Sequence, residues 1–226
     1  MHTFDSAYRI GKRFSGNDEF TPIDVKNEPM FFNSSLAYAY NEGGSITREF
    51  INAFSHDFAI KSGIDPADFV FDSRVHMLMK GWFPCIPGFH HDDVPRHTSN
   101  GQPNYTDPEY RSQHCMGLVN GEICPTEFAI GTAEFSEIGE DQVAYEVWHK
   151  EVEQRLMEGT SLVLHDAPSN KLVYFDDRTW HQGTRAIAGG WRWFGRISWN
   201  TARVNNITNE IRRQVQVYLE NPMQGW

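Results

Sequence analysis

Nine consecutive residues, Trp191-Arg192-Trp193-Phe194-Gly195-Arg196-Ile197-Ser198-Trp199, constrain the fold more than any other stretch of the chain. Successive side chains of an extended strand point to opposite faces. Arg192, Phe194, Arg196 and Ser198 therefore share one face, and Trp191, Trp193, Ile197 and Trp199 share the other. The tryptophan face suits packing beneath helices. The arginine face then looks into an interior, where an unpartnered charge is costly. An anionic ligand gripped by bidentate hydrogen bonds supplies a partner. A structural ion pair, for instance with Asp176 or Asp177, is the alternative.

Other short segments also read as strands: 75–83, 114–119, 127–135, 161–164, 171–175 and the stretch around His181. Asn120-Gly121 joins two of them. Helical periodicity marks 45–61, where Phe50, Phe54 and Phe58 form one stripe. It recurs over 141–158, with Ala144, Trp148, Val152 and Leu156 on one face and Gly159 as the stop. It recurs again over 204–220, with Ile207, Ile211, Val215 and Leu219. The expected fold is mainly β with flanking helices, a double-stranded β-helix of the jelly-roll or cupin type. The expected organisation is a single domain over 1–226. It comprises a helical or irregular flank (1–70), a barrel (71–201) with the insertion 141–158, and a C-terminal helix (204–220).

The chemistry concentrates in Pro87-Gly88-Phe89-His90-His91-Asp92-Asp93 and in Thr179-Trp180-His181-Gln182-Gly183. On a strand, His90 and Asp92 point the same way and can grip one ion, with His91 turned aside. His91 and Asp93 form a second, overlapping pair on the opposite face. The first register is preferred because Phe89 then faces the packed side. Two imidazoles and one carboxylate on one face of a metal leave coordination positions open, as mononuclear non-heme Fe(II) oxygenation requires. Arg192 follows His181 by eleven residues and Arg196 by fifteen.

This order of motifs resembles the Fe(II)/2-oxoglutarate-dependent dioxygenase superfamily over roughly Arg74 to Thr201. His90 and Asp92 match its His-x-Asp, and His181 its distal histidine. Arg196 and Ser198 match an Arg-x-Ser that holds the far carboxylate of 2-oxoglutarate in several of its families. The double arginine spacing is similar to the taurine dioxygenase and clavaminate synthase-like branch, and Arg192 is the rival anchor. The resemblance implies Fe(II) on His90, Asp92 and His181, 2-oxoglutarate as cosubstrate and O2 as oxidant. It implies hydroxylation of an unactivated C–H with release of succinate and CO2. Desaturation or ring chemistry stays open, whereas Asp92 argues against halogenation. The doubled His-His-Asp-Asp departs from the family pattern. A metal-dependent cupin isomerase or hydrolase and a non-catalytic jelly-roll binding protein are the alternatives from other classes.

Composition bounds the partners. A net charge of −10 over 226 residues disfavours a polyanionic partner such as nucleic acid, and favours a small molecule or amino-acid-like substrate over a peptide or nucleobase. No apolar run reaches the roughly 18 residues of a membrane span, and the start lacks the pattern of a signal peptide, so a cytoplasmic protein is expected. Cys85, Cys115 and Cys124 are odd in number and lack a C-x-x-C pair, which fits reduced thiols. The segment 94–113, rich in Pro, Gly and polar residues, is expected to cover the barrel mouth. Arg96, His97, Tyr105 and Arg111 are its candidate substrate contacts. Oligomeric state is not legible in the sequence.

Overall fold

Period-two patterning is realised in two antiparallel sheets of a computed structural model that describes residues 1–15, 20–96, 101–106 and 111–219. The chain opens with β1 (His2–Ser6) and β2 (Tyr8–Arg13), then α1 (Pro22–Asn27), β3 (Met30–Phe32), β4 (Ser34–Ser35), α2 (Leu36–Glu42) and α3 (Ser45–Phe54). A π-helical turn (Ser55–Ala59) leads into α4 (Ile60–Ser62), β5 (Val70–Leu78) and β6 (Trp82–Phe83). After the 84–112 connection come β7 (Gln113–Val119), β8 (Thr126–Phe135), α5 (Ala144–Glu158), β9 (Val163–Asp166), β10 (Lys171–Asp176), β11 (Trp180–Gly183) and β12 (Gly190–Trp199). Two short strands, β13 (Glu210–Arg212) and β14 (Tyr218–Leu219), close the described chain.

The larger sheet has the order β2-β10-β7-β12-β5-β4, and the smaller one the order β1-β8-β11 with β9 also on β8. Their inner faces meet through Met116, Leu118, Phe128, Val173 and Phe175. The rings of Phe128 and Phe175 lie 5.3 Å apart, edge to face. The outer face of the larger sheet carries Trp193, Ile197 and Trp199, packed with Phe50 and Phe54 of α3. The outer face of the smaller sheet carries Ala129, Phe135 and Trp180, packed with Trp148 and Val152 of α5. The tryptophan face of β12 thus lies beneath helices, and its arginine face looks between the sheets. Among the described residues no helix is long and apolar enough to cross a membrane.

Three expectations are corrected. The first 70 residues are not merely a helical or irregular flank: β1 joins the smaller sheet and β2 the larger. The strand expected from Val75 begins at Val70, which brings Asp72 and Arg74 onto the inner face with His76. The C-terminal helix is absent among the described residues. After a 3-10 turn (Ala202–Asn206), β13 pairs with β3 and β14 with β6. Ile207, Thr208, Ile211, Val215 and Val217 are β-branched, and exposed partner edges outweigh a four-residue apolar period. Asn209 (φ 52) turns the chain in the left-handed region, and the amides of Thr208 and Asn209 both donate to the Asn33 carbonyl.

Candidate metal centre and its cavity

His90 and His181 face one another as a β-bridge. The His90 amide donates to the His181 carbonyl at 3.0 Å, and the His181 amide returns the bond at 3.3 Å. This backbone pairing sets the two imidazoles side by side, with centroids 4.7 Å apart. On β11, alternation sends Trp180 beneath α5 and His181 into the space between the sheets. The His-x-Asp itself is not a regular strand, contrary to expectation. Only His90 is bridged, and Asp93 takes a left-handed conformation at φ 52 that ends the extended run.

The alternation nonetheless holds locally. His90, Asp92 and His181 place three ligand atoms within 4.8 Å of one another. His91 turns the other way, against Trp180 with centroids 3.7 Å apart, and its Nδ1 lies 2.6 Å from the Tyr105 hydroxyl. Asp93 does not join His91. It pairs with Arg203 at 3.3 Å and stands 3.8 Å from Arg196. The alternative register, His91 with Asp93, is therefore not assembled.

The donor set calls for a cation. Nδ1 of His90 donates to the Gly88 carbonyl and Nδ1 of His181 to the Thr179 carbonyl, each at 2.9 Å. A carbonyl can only accept, so the protons sit on Nδ1 and both Nε2 atoms carry bare lone pairs. Those lone pairs face a carboxylate: Asp92 Oδ2 lies 3.2 Å from His181 Nε2, and Oδ1 3.9 Å from His90 Nε2. Burial raises the cost of charge on Asp92, but the Arg196 guanidinium beside it outweighs this and holds the carboxyl well below the usual range. Burial, with His181 beside it, pushes the His90 imidazole below its ordinary value, which keeps it neutral.

The triad opens onto a cavity of about 370 Å³ between the sheets. Arg192, Phe194 and Arg196 of β12 line it, register-paired with His76, Arg74 and Asp72 of β5. The two β12 arginines differ in company. Arg196 hydrogen-bonds Asp92 and stands 3.5 Å from Asp72. Burial opposes its charge, yet Asp92, Asp93 and Asp72 raise its pKa further. Arg192 is 2% exposed and, among the described residues, makes no ion pair. One of its amino groups donates to the Thr126 hydroxyl at 2.9 Å, and its Nε has no partner. Burial alone pushes its pKa down, against smaller opposing effects of Cys124 and Cys85.

Other candidates fall elsewhere. Ser198 does not accompany Arg196. Its hydroxyl meets His114 Nδ1 at 2.9 Å in the interior. Tyr105 sits in the aromatic cluster under α5, 4.8 Å from the Phe4 ring. Arg111 pairs with Asp176 at 3.0 Å and Asp177 at 3.2 Å, away from the cavity. Arg96 is exposed and lies 5.2 Å over the Tyr145 ring. His97 lies outside the described residues. The described parts of 94–113 that follow Val94 therefore supply none of the cavity wall. Sequence reasoning missed Thr126, Asp72, Arg74 and Arg203. For β5 the signal was present: Asp72, Arg74 and His76 recur every second residue within an apolar run.

No family model and no curated protein sequence matches the chain. Among solved structures it is similar to HygX from Streptomyces hygroscopicus, an iron-bound crystal structure. The TM-score is 0.48 at 8% identity, over 88% of this chain and 83% of that one. It is also similar to a prolyl 4-hydroxylase from Phytophthora capsici, with a TM-score of 0.36 at 12% identity, over 78% of this chain and 48% of that one.

Proposed function

We propose that the protein is an Fe(II)- and 2-oxoglutarate-dependent oxygenase built on a double-stranded β-helix, acting on a small molecule. One observation carries the reading: two bare imidazole nitrogens and a carboxylate converge in a cavity that also holds a buried arginine with no ion-pair partner among the described residues. The donor set suits Fe(II), because two neutral nitrogens and one carboxylate on one side leave positions free for ligands. With iron and 2-oxoglutarate bound, the chemistry supplied is oxidation of a C–H bond by O2, coupled to decarboxylation of 2-oxoglutarate to succinate.

The chain's own residues have distinct tasks. The Gly88 and Thr179 carbonyls fix the tautomers of His90 and His181, so that Nε2 is the ligand atom in both. Arg196, committed to Asp92, Asp72 and Asp93, holds the Asp92 carboxylate in place and anionic. Arg192 is the better anchor for the far carboxylate of the cosubstrate, with the Thr126 hydroxyl beside it. A planar guanidinium matches a carboxylate bidentately, and among the described residues no carboxylate competes for it. The cavity lies at the small end of the usual range for small-molecule pockets, which disfavours a peptide or nucleobase polymer.

The test is anaerobic titration of the protein with Fe(II) and then 2-oxoglutarate. A weak visible charge-transfer band should appear with one iron per chain, and succinate should form once O2 is admitted with substrate. His181→Ala should abolish stoichiometric metal binding. His91→Ala should lower stability but leave the metal bound. Tight metal binding without the band would instead support a metal-dependent isomerase or hydrolase.

A further inference from the structure

The charges lining the cavity do not balance, and the imbalance has an address. The lining carboxylates are Asp72, Asp92 and Asp93, and the lining guanidiniums are Arg74, Arg192, Arg196 and Arg203. Every carboxylate is committed. Asp92 belongs to the metal centre. Asp72 is 4% exposed, meets Arg203 at 2.6 Å and accepts from the Asn33 amide at 2.9 Å. Asp93 meets Arg203 at 3.3 Å. Two lining guanidiniums make no ion pair among the described residues: Arg192 at the deep end, and Arg74, which is half-buried. Arg74 uses one amino group on the carbonyls of Phe31 (3.3 Å) and Ser73 (2.8 Å), and among the described residues its Nη2 and Nε make no hydrogen bond. Its guanidinium lies 5.8 Å from the Phe32 ring, which Arg212 also covers at 3.6 Å.

A divalent metal and a dicarboxylate cosubstrate cancel one another. The four arginines and three aspartates then leave one positive charge, and it is least answered at Arg74, which Asp72 attracts only from beyond ion-pair distance while Arg212, Arg196 and Arg203 oppose. An incoming ammonium would find no free carboxylate in the described lining. An incoming anion would find a guanidinium whose position is fixed by two backbone carbonyls, beside an aromatic ring. Resting on the oxygenase reading for the word substrate, we propose that the primary substrate is a small organic anion. Its carboxylate, sulfonate or phosphate group is seated on Arg74, and its carbon skeleton passes Phe194 toward the His90–His181 pair.

The experiment uses full-length protein loaded with Mn(II), which does not turn over, and saturated with 2-oxoglutarate. Butanoate, butane-1-sulfonate, butyl phosphate, butanamide and butylamine are titrated by calorimetry. At least one anion should bind roughly tenfold or more tightly than the amide and the amine, as a charge-assisted hydrogen bond predicts. The anion that binds best names the head group. Arg74→Gln should erase the preference, and Arg74→Lys should retain part of it. Should 2-oxoglutarate fail to bind, the oxygenase reading fails, and the titration is run in Arg192→Gln so that the deep arginine cannot take the probe. The anion preference is expected there as well. If the amide or amine binds as well as every anion, or if folded Arg74→Gln keeps the preference, the proposal is overturned. The wild-type comparison decides the matter even if the glutamine variant does not fold.

Discussion

Arg192 and Arg196 lie four residues apart on β12 and face the same cavity, yet their neighbours make them different reagents. Arg196 is held among three aspartates, so an incoming carboxylate must compete with charges already in place. Arg192 is buried with a threonine hydroxyl as its partner, and an incoming carboxylate relieves an unanswered charge. Hydrogen bonds to charged groups contribute about 1.5–3 kcal/mol. Arg192→Gln should therefore weaken 2-oxoglutarate binding by roughly one to two decades. Arg196→Gln should change it by less than about threefold, its loss falling on the order of Asp92 instead. The midpoint of the charge-transfer band against 2-oxoglutarate concentration reads both variants. The reverse ranking would restore Arg196 as the anchor. The spacing from His181 placed both arginines on the correct face but could not rank them, because Asp72, remote in sequence, is brought to Arg196 by β5.

At the scale of elements, what the sequence made legible was periodicity within a segment. The inner and outer faces of β12, the stripe of α5 and its stop at Gly159 (φ 64) all follow from side-chain order. Pairing between segments was not legible. The C-terminal apolar period reads as a helix because the edges of β3 and β6 that it pairs with are invisible from that stretch alone. The 94–113 connection reads as a lid because Pro, Gly and polar residues describe a loop without saying what it packs against; its described residues stand outside the cavity wall, and 97–100 and 107–110 lie outside the described residues. Tyr105 shows the difference. Its hydroxyl joins His91 Nδ1 at 2.6 Å and the Tyr145 hydroxyl at 3.1 Å, and burial pushes its pKa well above the ordinary value. Tyr105→Phe removes a buried partner from two groups, so it should cost about 1–2 kcal/mol of stability in chemical denaturation. Binding of metal and of 2-oxoglutarate should stay unchanged in the folded variant. An effect on ligand binding with stability intact would return Tyr105 to the substrate side.

Across the whole molecule, two opposed effects set how stability responds to acid. The chain carries −10 at pH 7 with a pI near 5.4, so mild acid relieves general repulsion. Against this stand histidines buried as neutral rings. Burial, with Arg192 and Arg74 nearby, depresses His76 from 6.5 to about 3, and among the described residues neither ring nitrogen makes a hydrogen bond of good geometry. Burial, with Arg196 nearby, depresses His114 from 6.5 to about 4. Below pH 6.5 the unfolded chain takes up protons at these sites that the folded chain refuses. Their contribution is therefore present above 6.5 and is lost as the pH falls toward 4 and then 3. Each such histidine weighs up to ~1.36 kcal/mol per pH unit. Surface repulsion is spread over distances that salt screens beyond about 8 Å. The local effect should win. In metal-free protein at physiological salt, Tm should fall steadily from pH 7 to pH 4, with a slope that added salt barely alters. His76→Leu should flatten that slope by removing one of the refused protons. A Tm that rises toward pH 5.4, or a slope that disappears in high salt, would mean that surface charge governs the acid response and that the two buried histidines find a way to take up their protons.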